Sequence, residues 1–280
     1  MRFVTIESVS VSNKAMNEDA VASFDNFAFV IDGASPLCGK GDTLASNITS
    51  YVDFLKNYVA GRHESGEIVD ILTSCIREIR KRSDLNIAYT EDIDSSSAAF
   101  LSVRLLEDGA VEYYTIGDCS LLVELADGEI LEICDKTVPV LDAKVVAEML
   151  RISKEKSISV CEARRYVLDM LRAHRKKKNT PDGYWILGLN PEAVSMGRRG
   201  VFEAGKIVSC CLLTDGFSDY YNTMRIVDSP AEFFSALKHS GAEHLLSQLV
   251  QAQERDSGCN LHPRLKKEDD ASLVFLSIAE

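Results

Sequence analysis

Five Asp-Gly pairs punctuate the sequence, at Asp32, Asp108, Asp127, Asp182 and Asp215. An aspartate before glycine ordinarily makes a turn, because glycine permits positive φ and the carboxylate bonds its own backbone. That explains Asp108 and Asp127, which join short alternating runs as hairpin turns, and Asp182, which lies in a polar loop. Asp32 and Asp215 are different. Each directly follows an apolar run, FAFVI at 27–31 and IVSCCLLT at 207–214, and no partner strand returns at hairpin distance. A carboxylate at the end of a buried strand is fixed by a rigid element at the rim of a core. Asn17-Glu18-Asp19, Glu268-Asp269-Asp270 and Asp118 also border strand-like runs. If those strands pack together, the carboxylates crowd one edge, and each like charge raises its neighbours' pKa. Divalent cations relieve such crowding, and all-oxygen ligation selects hard ions such as Mg²⁺ or Mn²⁺. On spacing alone, metal binding and simple strand-end capping both remain open.

The elements that must position these groups follow from periodicity. Residues 2–11 alternate as a strand, and 20–31 reads as two short strands, the second fully buried. Residues 42–60 and 67–82 carry helical apolar stripes, the first running from Leu44 to Val59 and ending at Gly61. Residues 97–134 hold four β-type runs, predicted to form one antiparallel meander. Residues from about 135 to 206 read as a flap-like insert with helices near 142–151 and 159–174. The basic run Arg172, Arg175, Lys176, Lys177 and Lys178 ends the second helix and is read as a solvated helix C-terminus, where cations suit the dipole, in preference to an anion or partner site. After the strand at 207–214, helices are predicted near 230–238 and 242–254, and a last strand at 271–278. Strands and helices fall in blocks, which favours α+β layers over an alternating parallel sheet.

Composition narrows the class. The 280 residues are 46% hydrophobic and 26% charged, enough for one large domain with a sizeable core. The net charge of −12 repels nucleic acid and anionic membranes, so neither is an expected partner. Eight cysteines (Cys38, Cys75, Cys119, Cys134, Cys161, Cys210, Cys211 and Cys259) form no C-x-x-C pair. They are read as reduced core thiols of a cytoplasmic protein. The N-terminus lacks a signal peptide's apolar block. The five histidines, His63, His174, His239, His244 and His262, are read as surface or capping residues.

Six motifs taken together resemble those of the metal-dependent protein phosphatases of the protein phosphatase 2C type. They are Asn17-Glu18-Asp19-Ala20, Val30-Ile31-Asp32-Gly33, Ser95-Ser96-Ser97-Ala98-Ala99, Ile116-Gly117-Asp118-Cys119, Leu213-Thr214-Asp215-Gly216-Phe217-Ser218-Asp219 and Asp269-Asp270-Ala271-Ser272. They occur in the family's order across residues 14–278. The resemblance implies one domain over 1–280, with two packed antiparallel β-sheets flanked by α-helices and a substrate-facing flap at 135–206. It implies two divalent cations, Mn²⁺ or Mg²⁺, at one end of the sandwich. By carry-over Asp32 bridges the metals, the Gly33 carbonyl binds one, and Asp215 and Asp269 complete the shell of the second metal. Glu18 and Asp19 hold metal-bound waters or contact a metal, and Asp118 matches the position of a third, weaker ion. The cations lower the pKa of a shared water, whose hydroxide attacks phosphorus in line without a phospho-enzyme. The implied substrate is a phosphoserine or phosphothreonine protein.

Three positions depart from the family. Ala34 stands where many members have a histidine proposed as general acid. Lys14 stands where most have an arginine that binds the substrate phosphate, and lysine cannot make a bidentate fork. Cys119 replaces a serine. These departures keep two alternatives in view: a catalytically weak or inactive signalling module, and a phosphatase of small metabolites.

Overall fold

The computed structural model describes residues 1–12, 14, 16–35, 37, 41–82 and 95–279, with side chains in the first helix described from Asn47 onward. Cys38, read as a core thiol, and the Leu44 side chain, read as the start of a helical stripe, lie outside the described residues. The described strands are β1 (Arg2–Val11), β2 (Asp19–Ser23), β3 (Phe27–Gly33), β4 (Ala98–Leu105), β5 (Val111–Ile116), β6 (Ser120–Leu125), β7 (Ile130–Ile133), β8 (Arg198–Phe202), β9 (Ile207–Leu213) and β10 (Ala271–Ala279). The helices are α1 (Gly41–Ala60), α2 (Ile68–Ile79), α3 (Thr137–Lys156), α4 (Val160–Ala163), α5 (Leu168–Arg175), α6 (Asp215–Asn222), α7 (Pro230–Ser240) and α8 (Ala242–Arg255).

The strands form two antiparallel five-stranded sheets, in the orders β1-β10-β9-β6-β7 and β2-β3-β4-β5-β8. Side-chain alternation builds the layers. In β3, Ala28 and Val30 point between the sheets, while Phe27, Phe29 and Ile31 point outward onto α1 and α2. In β9 and β10, Cys210, Leu212, Val274 and Leu276 face inward, while Cys211, Leu213, Leu273 and Phe275 meet α6, α7 and α8. Both faces of the central strands are therefore buried, which is why they read as unbroken apolar runs. Seven described cysteines are free thiols, and five of these are buried.

The structure corrects the meander. β4 pairs with β5 and β6 pairs with β7, but β5 and β6 lie in different sheets. The chain crosses between the sheets at Gly117-Asp118, where Gly117 has φ +87° and a Cβ would meet Ala99 at 2.5 Å. The two hairpins form as expected. Asp108 accepts from the Ala110 N–H and Asp127 from the Glu129 N–H, both at 3.0 Å.

Within the segment read as a flap, α3, α4 and α5 pack on a small core of their own around Val145, Met149 and Val167. The predicted helix at 159–174 is broken into α4, a 3-10 turn at Arg164–Tyr166 and α5. The same segment contains β8, a strand the periodicity does not reveal, which pairs with β5 at the sheet edge. A two-sided polar edge strand (Arg198-Arg199-Gly200-Val201-Phe202) has little apolar alternation to read.

Candidate metal centre

Register brings the acidic residues together. Asp19 and Asp32 are direct cross-strand partners on β2 and β3. Such partners have Cβ atoms roughly 5 Å apart, and like charges there are destabilising. On the other sheet, Ser120 and Leu273 both pair with Leu213, and Val11 pairs with Ala271. Asp118, Asp215 and Asp269 thus lie just beyond strand ends at the same edge of the sandwich. The two sheets are tied there through polar contacts. The Thr214 hydroxyl donates to Asp19 Oδ2 at 2.8 Å and accepts from the Ser272 N–H at 3.0 Å. The Asp215 N–H, in the first turn of α6, points to Asp32 Oδ2 at 3.4 Å.

Close backbone approach makes two glycines necessary. At Gly33 a Cβ would stand 2.5 Å from the Glu18 carbonyl, and the Gly33 N–H donates to that carbonyl at 2.9 Å. At Gly216 a Cβ would collide with the Asp270 carbonyl.

Electrostatics follow from this crowding. Burial, then Asp215, Asp19, Asp118 and Asp269, hold the Asp32 carboxyl well above the usual carboxylate range. Burial pushes Asp19 up to about 8, against the hydrogen bonds from Ser272 and Thr214. Burial and Asp215 push Asp118 to about 8 as well. Asp215 is raised by burial and by Asp269. Asp269 goes the other way: burial opposes its charge, but Lys266 and Lys14 outweigh burial and keep it low.

Those lysines are the counter-charges of the site. Lys14 donates to Glu18 Oε2 at 3.2 Å, Asp269 Oδ1 at 3.0 Å and Asp270 Oδ2 at 3.1 Å. Lys266 donates to Asp269 Oδ2 at 2.5 Å and Ser35 Oγ at 3.3 Å. The Ser35 hydroxyl in turn donates to Glu18 Oε2 at 2.5 Å. Asp270 is buried and accepts from the Glu18 N–H at 2.9 Å, which fixes the β2 entrance against the β10 entrance.

A cavity of about 650 Å³ opens over this edge, lined by Asp32, Asp118, Asp215 and Asp269 on the sandwich side. The flap forms the other wall, and sequence reasoning missed three of its members. Asp142, from α3, has its carboxyl pushed up to about 6 by burial and then by Asp215. Arg175 is not the solvated helix end expected of the basic run: it lines the cavity and donates to the Ser35 carbonyl at 3.1 Å. His174 lines the same wall. Asp219, one turn along α6 from Asp215, is raised to about 7, mainly by burial. Only the basic run offered a signal in the sequence, since Asp142 sits in an ordinary amphipathic pattern. His63 behaves as a cap: its Nδ1 lies 2.8 Å from the Ala60 carbonyl at the end of α1, and its ring stacks on Phe24.

Among the described residues, no three His, Cys, Asp or Glu side chains stand together as a ready-made metal-holding group. The ammonium groups of Lys14 and Lys266 lie among the very carboxylates that would close such a group. The donor set still fits hard divalent cations in kind. It consists of carboxylates, and four of them (Asp19, Asp32, Asp118 and Asp215) are held toward protonation by burial and mutual repulsion.

The sequence profile described as "Protein phosphatase 2C" matches residues 10–251. The chain belongs to the protein phosphatase 2C family. Solved structures agree in fold. The serine/threonine phosphatase PstP/Ppp of Mycobacterium tuberculosis is 14% identical with a TM-score of 0.55, covering 100% of this chain and 99% of that one. The catalytic domain of PstP in complex with two manganese ions is 16% identical with a TM-score of 0.54, covering 100% and 98%. The serine/threonine phosphatase Stp1 of Staphylococcus aureus is 12% identical with a TM-score of 0.53, covering 100% and 94%. No curated protein matches the sequence. The two antiparallel sheets with flanking helices are the architecture that this family membership implies. No helix among the described residues is long and apolar enough to cross a membrane.

Proposed function

We infer that this protein phosphatase 2C family member hydrolyses phosphoserine and phosphothreonine monoesters in proteins with the help of divalent metal ions. The observation that carries the reading is the convergence of Asp19, Asp32, Asp118, Asp215 and Asp269 on one edge of the sandwich, beside one cavity. In this reading Asp32, Asp215, Asp269 and the Gly33 carbonyl would hold two cations, Mn²⁺ or Mg²⁺, and Asp118 would hold a third. When bound, such ions acidify water and neutralise charge on phosphoryl oxygens. The chain's own residues orient that chemistry. Thr214 keeps Asp19 directed through its hydroxyl, and the α6 N-terminus presents Asp215 with its N–H toward Asp32. Glu18, held by Ser35 and Lys14, would order water at the rim. Ala34 offers no proton, so the leaving group would take its proton from water or another residue, or leave without one.

The test is hydrolysis of a generic aryl phosphate and of phosphopeptides, with and without manganese. Stimulation by Mn²⁺ and loss in excess chelator is the expected outcome. Turnover that persists in chelator sinks the reading. A panel of sugar phosphates against phosphopeptides separates a metabolite phosphatase from a protein phosphatase. One observation favours the second reading, a signalling module without turnover: Lys14 and Lys266 already neutralise Asp269. Calorimetric titration showing no manganese binding, together with no hydrolysis, selects that module.

A further inference from the structure

Phosphate capture needs a cation with free donors, and Lys14 has none to offer. An ammonium has three protons, and Glu18, Asp269 and Asp270 accept them. The flap wall of the cavity has the opposite character. Arg175 stands at the end of α5 and lines the cavity together with Asp32 and Asp215. One Nη2 proton goes to the carbonyl of Ser35, three residues beyond Asp32. That bond anchors the guanidinium beside the loop that follows the site's central aspartate. A guanidinium carries five N–H donors in a planar fork, and among the described residues the side chain of Arg175 makes this one hydrogen bond. Arg175 also makes no ion pair among the described residues, unlike Arg172 one turn earlier, which pairs with Asp169.

Its neighbours on the wall also hold unmet polar atoms. The Nε of Arg164 and the Nδ1 of His174 are buried without a hydrogen-bond partner, and both residues line the same cavity. The Arg164 Nε–H is a buried donor left unmade, and the His174 nitrogen donates in the tautomer that carries its proton there. Phosphate oxygens accept a bidentate arginine grip well.

We propose that Arg175, carried by the flap, grips the substrate phosphate in place of Lys14. The assignment rests on the hydrolytic reading above, and it moves phosphate recognition from the sandwich to the flap.

The experiment compares the manganese-loaded wild type with Arg175→Ala and Arg175→Lys, reading KM, kcat and inhibition by inorganic phosphate. Manganese affinity is measured by calorimetry in each. The Arg175→Ala variant should raise KM and the phosphate inhibition constant by about tenfold or more, the size expected for losing a charged hydrogen bond. Manganese affinity should stay at the wild-type value. The Arg175→Lys variant should recover only part of the loss, because a point charge cannot replace the fork. Lys176→Ala, on an exposed neighbour, should leave all values unchanged. Unchanged KM and unchanged phosphate inhibition in Arg175→Ala overturn the proposal. If the wild type turns over nothing, calorimetric binding of inorganic phosphate to the manganese-loaded protein decides instead. Binding that depends on Arg175 keeps the assignment while the hydrolytic reading falls. Binding that is indifferent to Arg175, or absent, overturns the assignment.

Discussion

The two ends of the sandwich use the same dipeptide for opposite purposes. At one end, Asp108-Gly109 and Asp127-Gly128 close hairpins, with glycine φ of +84° and +88°. Their carboxylates are exposed and each accepts from an N–H two residues on. At the other end, Asp32-Gly33 and Asp215-Gly216 have glycines outside the positive-φ set, and these are needed for close backbone approach. There the carboxylates crowd one another, although Asp215 also accepts from the Gly216 N–H and Asp269 from the Asp270 N–H. A turn aspartate is satisfied locally and costs little to keep. A rim aspartate has like charges as neighbours, and its local bonds leave it in need of a further partner: a proton, a lysine or a metal ion.

That contrast can be broken most directly by charge removal. Asp32→Asn should lower manganese-dependent aryl phosphate hydrolysis by at least about a hundredfold, the scale of losing a main electrostatic contributor. Asp108→Asn should leave turnover within about twofold, as for a surface position that still makes its turn. Equal losses in the two variants, read by steady-state kinetics, erase the distinction between the ends.

The next effect is on stability against pH. Asp19 and Asp118 titrate near 8 in the fold against an ordinary 3.8, and Asp32 is raised too. Between about pH 4 and 8 the metal-free fold therefore holds protons that the unfolded chain has released. Their stabilising contribution is complete below about pH 4 and is lost as pH rises through 8, at about 1.4 kcal/mol per pH unit for each such carboxyl. Urea midpoints of metal-free protein should fall from pH 5 to pH 9, and manganese should flatten that slope. Metal-free protein equally stable at both pH values counts against a crowded rim.

Backbone changes sharpen the same comparison. Gly216→Ala forces a methyl group into the Asp270 carbonyl, and an overpacked site of this kind should cost about 1–3 kcal/mol. It should also weaken manganese binding. Gly128→Ala meets open space and suffers only from its positive φ, about 1 kcal/mol, with no change in manganese affinity. Thermal melts and metal titrations separate the two. The smallest effect is Asp127→Ala, which removes one exposed turn bond and should cost about 0.5 kcal/mol. A shift in manganese affinity from that variant links the two ends in a way the contrast forbids.

Much of the rim is legible in the sequence. Asp32, Asp215 and Asp269 stand out because buried β3, β9 and β10 read as unbroken apolar runs, and a charge at the end of such a run is conspicuous. The α+β layering follows from strands and helices falling in blocks. Lys266 and Asp142 are not legible. Their neighbours in the sequence are unremarkable, and their significance comes from which charges stand opposite them across the cavity. Arg175 is visible but easily misread, because a basic run at a helix C-terminus satisfies the dipole whether or not its members also reach a site. The four β-runs at 97–134 are each visible, yet no local pattern marks that the third and fourth belong to the other sheet.

The sequence alone determined which carboxylates lie at strand ends, since burial and alternation are local properties of a run. It also determined the family's motif order. Only the tertiary structure decided which ends share an edge, because register and the sheet crossing at Gly117-Asp118 are set by partners distant in the chain. It also decided that Lys14 meets three carboxylates and that Arg175 lines the cavity. Charge pairing is long-range in sequence and short-range in space, so it becomes readable once the fold has brought the partners within a few ångströms.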